Sequence, residues 1–238
     1  MTQMFGPRLT LGRGATFGWV AAFLIVVAIG AAVGMAYLGS TRIQYFPKSF
    51  LAPTWMAGVS AWDGRKRPVI DDLEEGWYTA YWRAAEEPSL YLASRHPSSP
   101  YAHSIRFTWL RSFHAPMMVR MDTLSDGRLL MTATKLAGAG GYSAEAPSAR
   151  IVRLLTSGEQ RALEATLSST TILDQPPVDD SYGGLDGSRW IMEGSSPGEY
   201  RYINRWSPGE HAPTNYQKMR EAGLFMLGLT GWSLEPVY

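Results

Sequence analysis

The chain contains no cysteine. That absence excludes disulfides, thiolate metal sites, a cysteine nucleophile, a lipid-modified amino-terminal cysteine and covalent c-type haem attachment. It leaves the redox compartment open. Charge is scarce as well: 18% of the 238 residues are charged, below the usual share of about 25%. Neither sign dominates, since 22 Lys+Arg stand against 21 Asp+Glu for a formal net charge of +1. The basic excess of a nucleic-acid binder is missing, and no nucleic-acid partner is expected. The four histidines, His96, His103, His114 and His211, form no H-x-x-x-H or H-E-x-x-H pair. Gly138-Ala139-Gly140-Gly141 lacks both the Lys of a P-loop and the third Gly of a dinucleotide turn, and reads as a mobile connection. No cofactor is expected, and no internal repeat stands out.

What is present begins with Phe17 to Leu38, 22 residues without a charge. As a helix this run is ~33 Å long, enough for a hydrocarbon core of ~30 Å. Trp19 and Tyr37 stand near its ends, where aromatic rings favour the headgroup interface. The segment holds no histidine, so this chain alone supplies no haem ligand within a bilayer. A cleaved signal peptide is the competing reading, with Gly34-Met35-Ala36 as the small-residue site. Its apolar core exceeds the usual ~7–15 residues. Gly30 and Gly34 form a G-x-x-x-G that lets a partner helix, or a second copy, approach closely. Residues 1–16 carry Arg8 and Arg13 and no acid, while Arg42, Lys48, Arg65, Lys66 and Arg67 follow the run. The charge rule for orientation is nearly tied, and the short tail before a long domain favours an inside amino terminus.

The chain therefore divides into a tail (1–16), a membrane helix (17–38), a linker (39–70) and an extracytoplasmic domain (71–238). The linker is rich in Pro, Gly and Ser, and Trp55 and Trp62 in it are candidates for the membrane surface or for docking on the domain. Asp71 to Glu87 is predicted helical, with acids at its start and Leu73, Trp77, Tyr81 and Ala84 on its buried face. Ile105, Phe107, Trp109 and Phe113 alternate with Arg106, Thr108 and Ser112, as in a strand with one buried face. Asp126-Gly127 between apolar runs 117–124 and 129–136 signals a hairpin. Arg150–Leu155 is another strand. Thr156-Ser157-Gly158-Glu159 reads as a capping box that starts a helix to about Ser168. Strands 189–193 and 199–206 and a helix over 215–229 complete the pattern. Hairpins outnumber βαβ units, which implies an α+β domain with a mainly antiparallel sheet and helices on one face.

Gly184-Leu185-Asp186-Gly187-Ser188-Arg189-Trp190-Ile191-Met192-Glu193-Gly194, followed by Tyr200 and Arg205-Trp206-Ser207-Pro208, resembles an uncharacterised family of bacterial membrane-anchored or exported proteins. That family has a G-x-D-G-x-x-W-x-x-E-G strand followed by R-W-S-P. The resemblance covers about 30 residues. It implies a bacterial origin, hence an inner-membrane location with the domain in the periplasm, and it supplies no mechanism. On the residues alone, Asp186-Gly187 can turn into the strand, Trp190 can fill the core, and Glu193 and Arg205 can pair across the hairpin.

Gly194-Ser195-Ser196-Pro197-Gly198 matches the nucleophile pattern G-x-S-x-G. That chemistry needs a strand-to-helix elbow, whereas a strand follows here and Pro197 lacks an N–H, so a hairpin tip is the better reading. Asp174, Asp179, Asp180 and Asp186 share one loop. The last three are a weak calcium alternative to a merely solvated loop, and no metal is expected. The expectation is a non-catalytic single-pass protein that docks on or stabilises a larger membrane assembly. The alternative is an anchored hydrolase or ligand-binding protein with Glu193, Arg205 and His211 at its site.

Overall fold

The computed structural model describes residues 43–59, 64–179, 184 and 186–238, with the backbone alone at Trp55, Met56 and Val59. The predicted span, with Trp19, Gly30, Gly34 and Tyr37, lies outside those residues, as do Trp62 and Asp180. Among the described residues no helix is long and apolar enough to cross a membrane. The chain forms two units, 1–43 and 44–238.

The second unit is an α+β domain. Its elements run α1 (Lys48–Leu51), β1 (Thr54–Val59), β2 (Lys66–Arg67), α2 (Asp72–Ala84), α3 (Leu90–Arg95), β3 (Ser104–Arg111), β4 (Met117–Thr123), β5 (Leu129–Leu136) and β6 (Pro147–Leu154). Then follow α4 (Ser157–Thr170), a 3-10 turn (Ile172–Asp174), β7 (Ser188–Ser196), β8 (Glu199–Trp206) and α5 (Thr214–Gly228). Strands β3 to β8 form a six-stranded sheet in the order β6-β5-β4-β3-β7-β8. Every neighbouring pair is antiparallel. The Asp126-Gly127 turn forms as predicted, with Gly127 at φ +81° and Asp126 Oδ1 accepting from the Arg128 N–H. Such positive φ is where glycine costs least. The Thr156/Glu159 capping box also forms and starts α4.

The helices cover both faces of the sheet, where the sequence pattern predicts one. Phe107, Trp109, Met117, Val119, Met131 and Trp190 point to one face and pack against Leu163 of α4 and Met219, Ala222 and Met226 of α5. Leu110, Met118, Leu136, Ile191 and Tyr202 point to the other and meet Tyr78, Tyr81 and Trp82 of α2. The intervening polar residues mislead the pattern. Arg106, Thr108 and Arg120 alternate as surface residues do, yet all three are buried. β3, β4 and β7 are covered on both sides, so a helix layer on each face is required.

Three further expectations need correction. The linker does not extend to residue 70: Tyr45, Phe46, Ala57, Val69 and Ile70 are buried in the domain core. Phe46 lies 5.2 Å from Trp82 and meets Tyr202 edge-on at 5.5 Å. Lack of period hides such a segment, because its aromatic residues are buried one by one rather than along a regular element. The buried face of α2 is broader than predicted and begins later. Leu73 is 79% exposed; Tyr81 is buried as predicted, Trp77 and Ala84 are half-buried, and Tyr78, Thr79 and Trp82 face inward beside them. β3 ends at Arg111, leaving Phe113 exposed.

Candidate functional site

Two places in the domain gather chemically capable side chains. One is sealed in the core and the other is open.

The sealed place lies on the α2 face of the sheet. Arg106 on β3 donates through Nε to Glu193 Oε2 at 2.7 Å and through Nη1 to Glu87 Oε2 at 3.4 Å. Arg120 on β4 donates to Glu87 and, at 2.9 Å, to Asp122. Ser104 donates to Asp122 at 2.6 Å, and Tyr200 to Glu193 at 2.8 Å. Arg106 stacks 4.4 Å from the Trp82 ring and Arg120 4.8 Å from the Tyr101 ring. Burial opposes the charge on Arg106, but Glu193 and Glu87 outweigh it and raise its pKa. Burial raises the Glu193 carboxyl against the opposing pull of Arg106 and Tyr200. The side chains of Glu87, Arg106 and Glu193 expose no surface. A substrate has no access to such a cluster. It acts as a polar framework that ties β3, β4 and β7 to the segment after α2.

That framework answers the hairpin expectation. Glu193 and Arg205 do not pair: β7–β8 register sets Glu193 opposite Tyr202 and Trp190 opposite Arg205. With side chains alternating, the two residues project from opposite faces. Arg205 donates instead to the carbonyls of Pro176, at 2.9 Å, and Asn204, at 2.8 Å, and lies 5.7 Å from the Tyr216 ring. His211 is exposed in the loop before α5. The structure does not bring Glu193, Arg205 and His211 together. Ser196 ends β7 at the hairpin tip, with Gly198 at φ +84°, and no strand-to-helix elbow forms there. Asp179 bonds Asn215 and accepts from Tyr216 through its carbonyl, while Asp186 is exposed. Among the described residues no cluster of His, Asp or Glu is arranged to hold a metal.

The open place is a cleft of about 620 Å³ between the first turns of α2 and the ends of β7 and β8. Asp72, Leu73, Gly76 and Trp77 form one wall, Ser112, Gly141 and Tyr142 another, and Gly184, Arg189 and Trp206 complete it. Leu73 and Tyr142 are 79% and 69% exposed. An Asp71/Glu74 capping box fixes the α2 wall. The 138–142 loop is pinned rather than mobile. Trp77 donates to the Gly140 carbonyl at 2.8 Å, and Tyr81 to those of Ala139 and Tyr142. A Cβ on Gly140 would stand 2.7 Å from the Arg111 carbonyl oxygen, so those glycines serve close backbone approach.

The two halves of the motif meet at this cleft. The Trp206 ring lies where a Cβ on Gly187 would come within 2.6 Å of it, and a Cβ on Gly184 within 3.1 Å. Ser207 Oγ accepts from the Ser188 N–H at 2.7 Å. Arg189 lies over the Trp206 ring at 5.1 Å and pairs with Glu74 at 3.3 Å. Burial raises the Glu74 carboxyl, against Arg189 and the Tyr78 hydroxyl. The cleft was not legible in the sequence because its walls come from five separate stretches. The one available signal was Leu73, an apolar residue flanked by acids. No protein-family model and no curated protein matches the chain.

Proposed function

We propose that this is a non-catalytic single-pass membrane protein whose domain docks on a larger membrane assembly. Phe17–Leu38 is the anchor, in a bacterial inner membrane, with the amino terminus cytoplasmic and the domain periplasmic. The bacterial setting rests on the motif resemblance. Five residues separate the proposed span from Gln44, the first residue of the domain. Gly30 and Gly34 supply a face for a partner helix or a second copy.

The open cleft carries the docking reading. Leu73 and Tyr142 leave most of their surface in water beside Trp77 and Trp206, and clustered exposed apolar side chains mark interaction sites. The polar residues that acid–base chemistry would use are engaged elsewhere: Glu193 with Arg106, and Arg205 with main-chain carbonyls.

The test has two arms. Alkaline carbonate should leave the protein in the membrane pellet, and protease added to spheroplasts should digest the domain. A photo-crosslinking phenylalanine analogue at position 142, irradiated in intact membranes, should give one adduct of defined mass that Leu73→Asp abolishes. Release by carbonate overturns the anchor. A smear of adducts indifferent to Leu73→Asp overturns the docking face.

A further inference from the structure

The chemistry of the cleft narrows what it receives. Its walls are aromatic and aliphatic: Trp77, Tyr142, Trp206 and Leu73. The cation at its base, Arg189, is already paired with Glu74 and stacked on Trp206. Asp72, at the mouth, is exposed and has no ion-pair partner among the described residues. Its neighbour Asp71 is exposed too and uses one oxygen to cap α2. With Arg189 engaged by Glu74, Asp72 is the charged lining group left to meet a ligand, and it stands beside apolar walls. Aromatic faces attract cations, and a carboxylate beside them adds to the attraction. The α2 dipole, positive at this end, opposes a cation, but the charges of Asp71 and Asp72 exceed the half charge it supplies.

We propose that the cleft binds a lysine or arginine side chain carried on an apolar stretch of a partner protein. The volume of about 620 Å³ suits one long side chain and a bulky neighbour. Apolar flanks cover Leu73 and Tyr142, and the cationic head reaches Asp72. This inference rests on the docking reading and adds the chemistry of the partner. It predicts a charge preference that a merely apolar docking face would not show.

The experiment uses the full chain in lipid nanodiscs and two fluorescent peptides. Ac-Ala-Phe-Lys-Phe-Ala is compared with the same peptide carrying norleucine for lysine, by fluorescence anisotropy. The lysine peptide should bind roughly tenfold more tightly. Asp72→Asn should remove most of that preference by weakening the lysine peptide alone. Tyr142→Ala should weaken both. Added salt should narrow the gap, since an exposed ion pair is screened. Equal affinities for the two peptides overturn the cation preference. So does failure of both up to about 1 mM, including the case in which the chains associate with each other through Tyr142 instead. In either case, a crosslink from position 142 that Leu73→Asp still abolishes shows that docking stands and only its chemistry was wrong. Loss of that crosslink as well removes the docking reading itself.

Discussion

The two faces of the central sheet are built from the same strands and both bury apolar side chains, but only one of them also buries a cluster of charges. The face under α4 and α5 is filled with Phe107, Trp109, Met117, Val119, Met131, Trp190 and Met192. The face under α2 also buries apolar residues, Leu110, Met118, Ile191 and Tyr202 among them, but beside them it holds Arg106, Arg120, Asp122, Glu193 and the incoming Glu87, walled by Tyr45, Trp82, Tyr101 and Tyr200. On the first face the area removed from water carries the stability and shape decides the rest. On the second, desolvated charges are tolerable only because each has a partner, which ties the face to one arrangement. The segment at Tyr45 belongs to that second arrangement. Its hydroxyl donates to the Glu87 carbonyl at 2.9 Å, and Ser89 donates to the Gln44 carbonyl at 2.6 Å.

The contrast can be broken most directly at Arg106. Arg106→Met keeps the bulk and leaves Glu193 and Glu87 facing each other without their shared cation. The expected loss is about 3–5 kcal/mol of unfolding free energy, against less than about 1.5 for the volume-conserving Met131→Leu on the other face. Denaturant titration of both variants measures it. Adding Glu193→Leu to Arg106→Met should recover part of the loss, because the stranded charge goes with it. A loss below about 1 kcal/mol for Arg106→Met would erase the distinction between the faces.

On the apolar face the equivalent probe is overpacking. A Cβ on Gly223 of α5 would come within 2.6 Å of the Phe107 ring. Gly223→Ala should therefore cost about 1–3 kcal/mol despite its better helix propensity. A rise in melting temperature would show that α5 can shift without penalty.

Tyr45→Phe removes one hydrogen bond and little area, so the expected cost is about 1 kcal/mol. The same change should raise hydrogen exchange locally, at the amides around Gln44 and Glu87, before it affects the sheet.

The smallest effect lies at the edge between faces and solvent, at the α4 cap. Arg153, with Thr156, holds the Glu159 carboxyl down to about 2 from its usual 4.5. A depressed carboxyl stabilises the fold above its unfolded pKa and loses that contribution as pH falls through the folded one. Stability should thus decline between about pH 4.5 and pH 2 by roughly 1 kcal/mol, less in high salt. Glu159→Gln should flatten that part of the curve.

How much of this was legible follows from what each feature depends on. The hairpin at Asp126-Gly127 and the cap at Thr156 and Glu159 depend on neighbours in the chain, so spacing alone found them. Trp190 was readable as core because an indole on a period-two strand has few other places to go. The uncharged run at Phe17–Leu38 is likewise a property of local composition. Arg106 read as surface because charge ordinarily means solvent, and Glu193 as the cross-hairpin partner of Arg205 because the two strands are neighbours. Only the meeting of β3, β4, β7 and the chain after α2 supplies partners that make burial tolerable. Leu73 shows the reverse error, an apolar residue at helical spacing that the fold left outside.

The sequence by itself determined the α+β class, the Asp126-Gly127 hairpin and the Thr156 cap, because these rest on periodicity and short-range hydrogen bonding. The tertiary structure decided which polar residues are interior, that residues from Gln44 onward belong to the domain, and that Trp77, Tyr142 and Trp206 share one cleft. Those outcomes depend on strand register and on groups far apart in the chain, and a one-residue shift of register would place every such side chain on the opposite face.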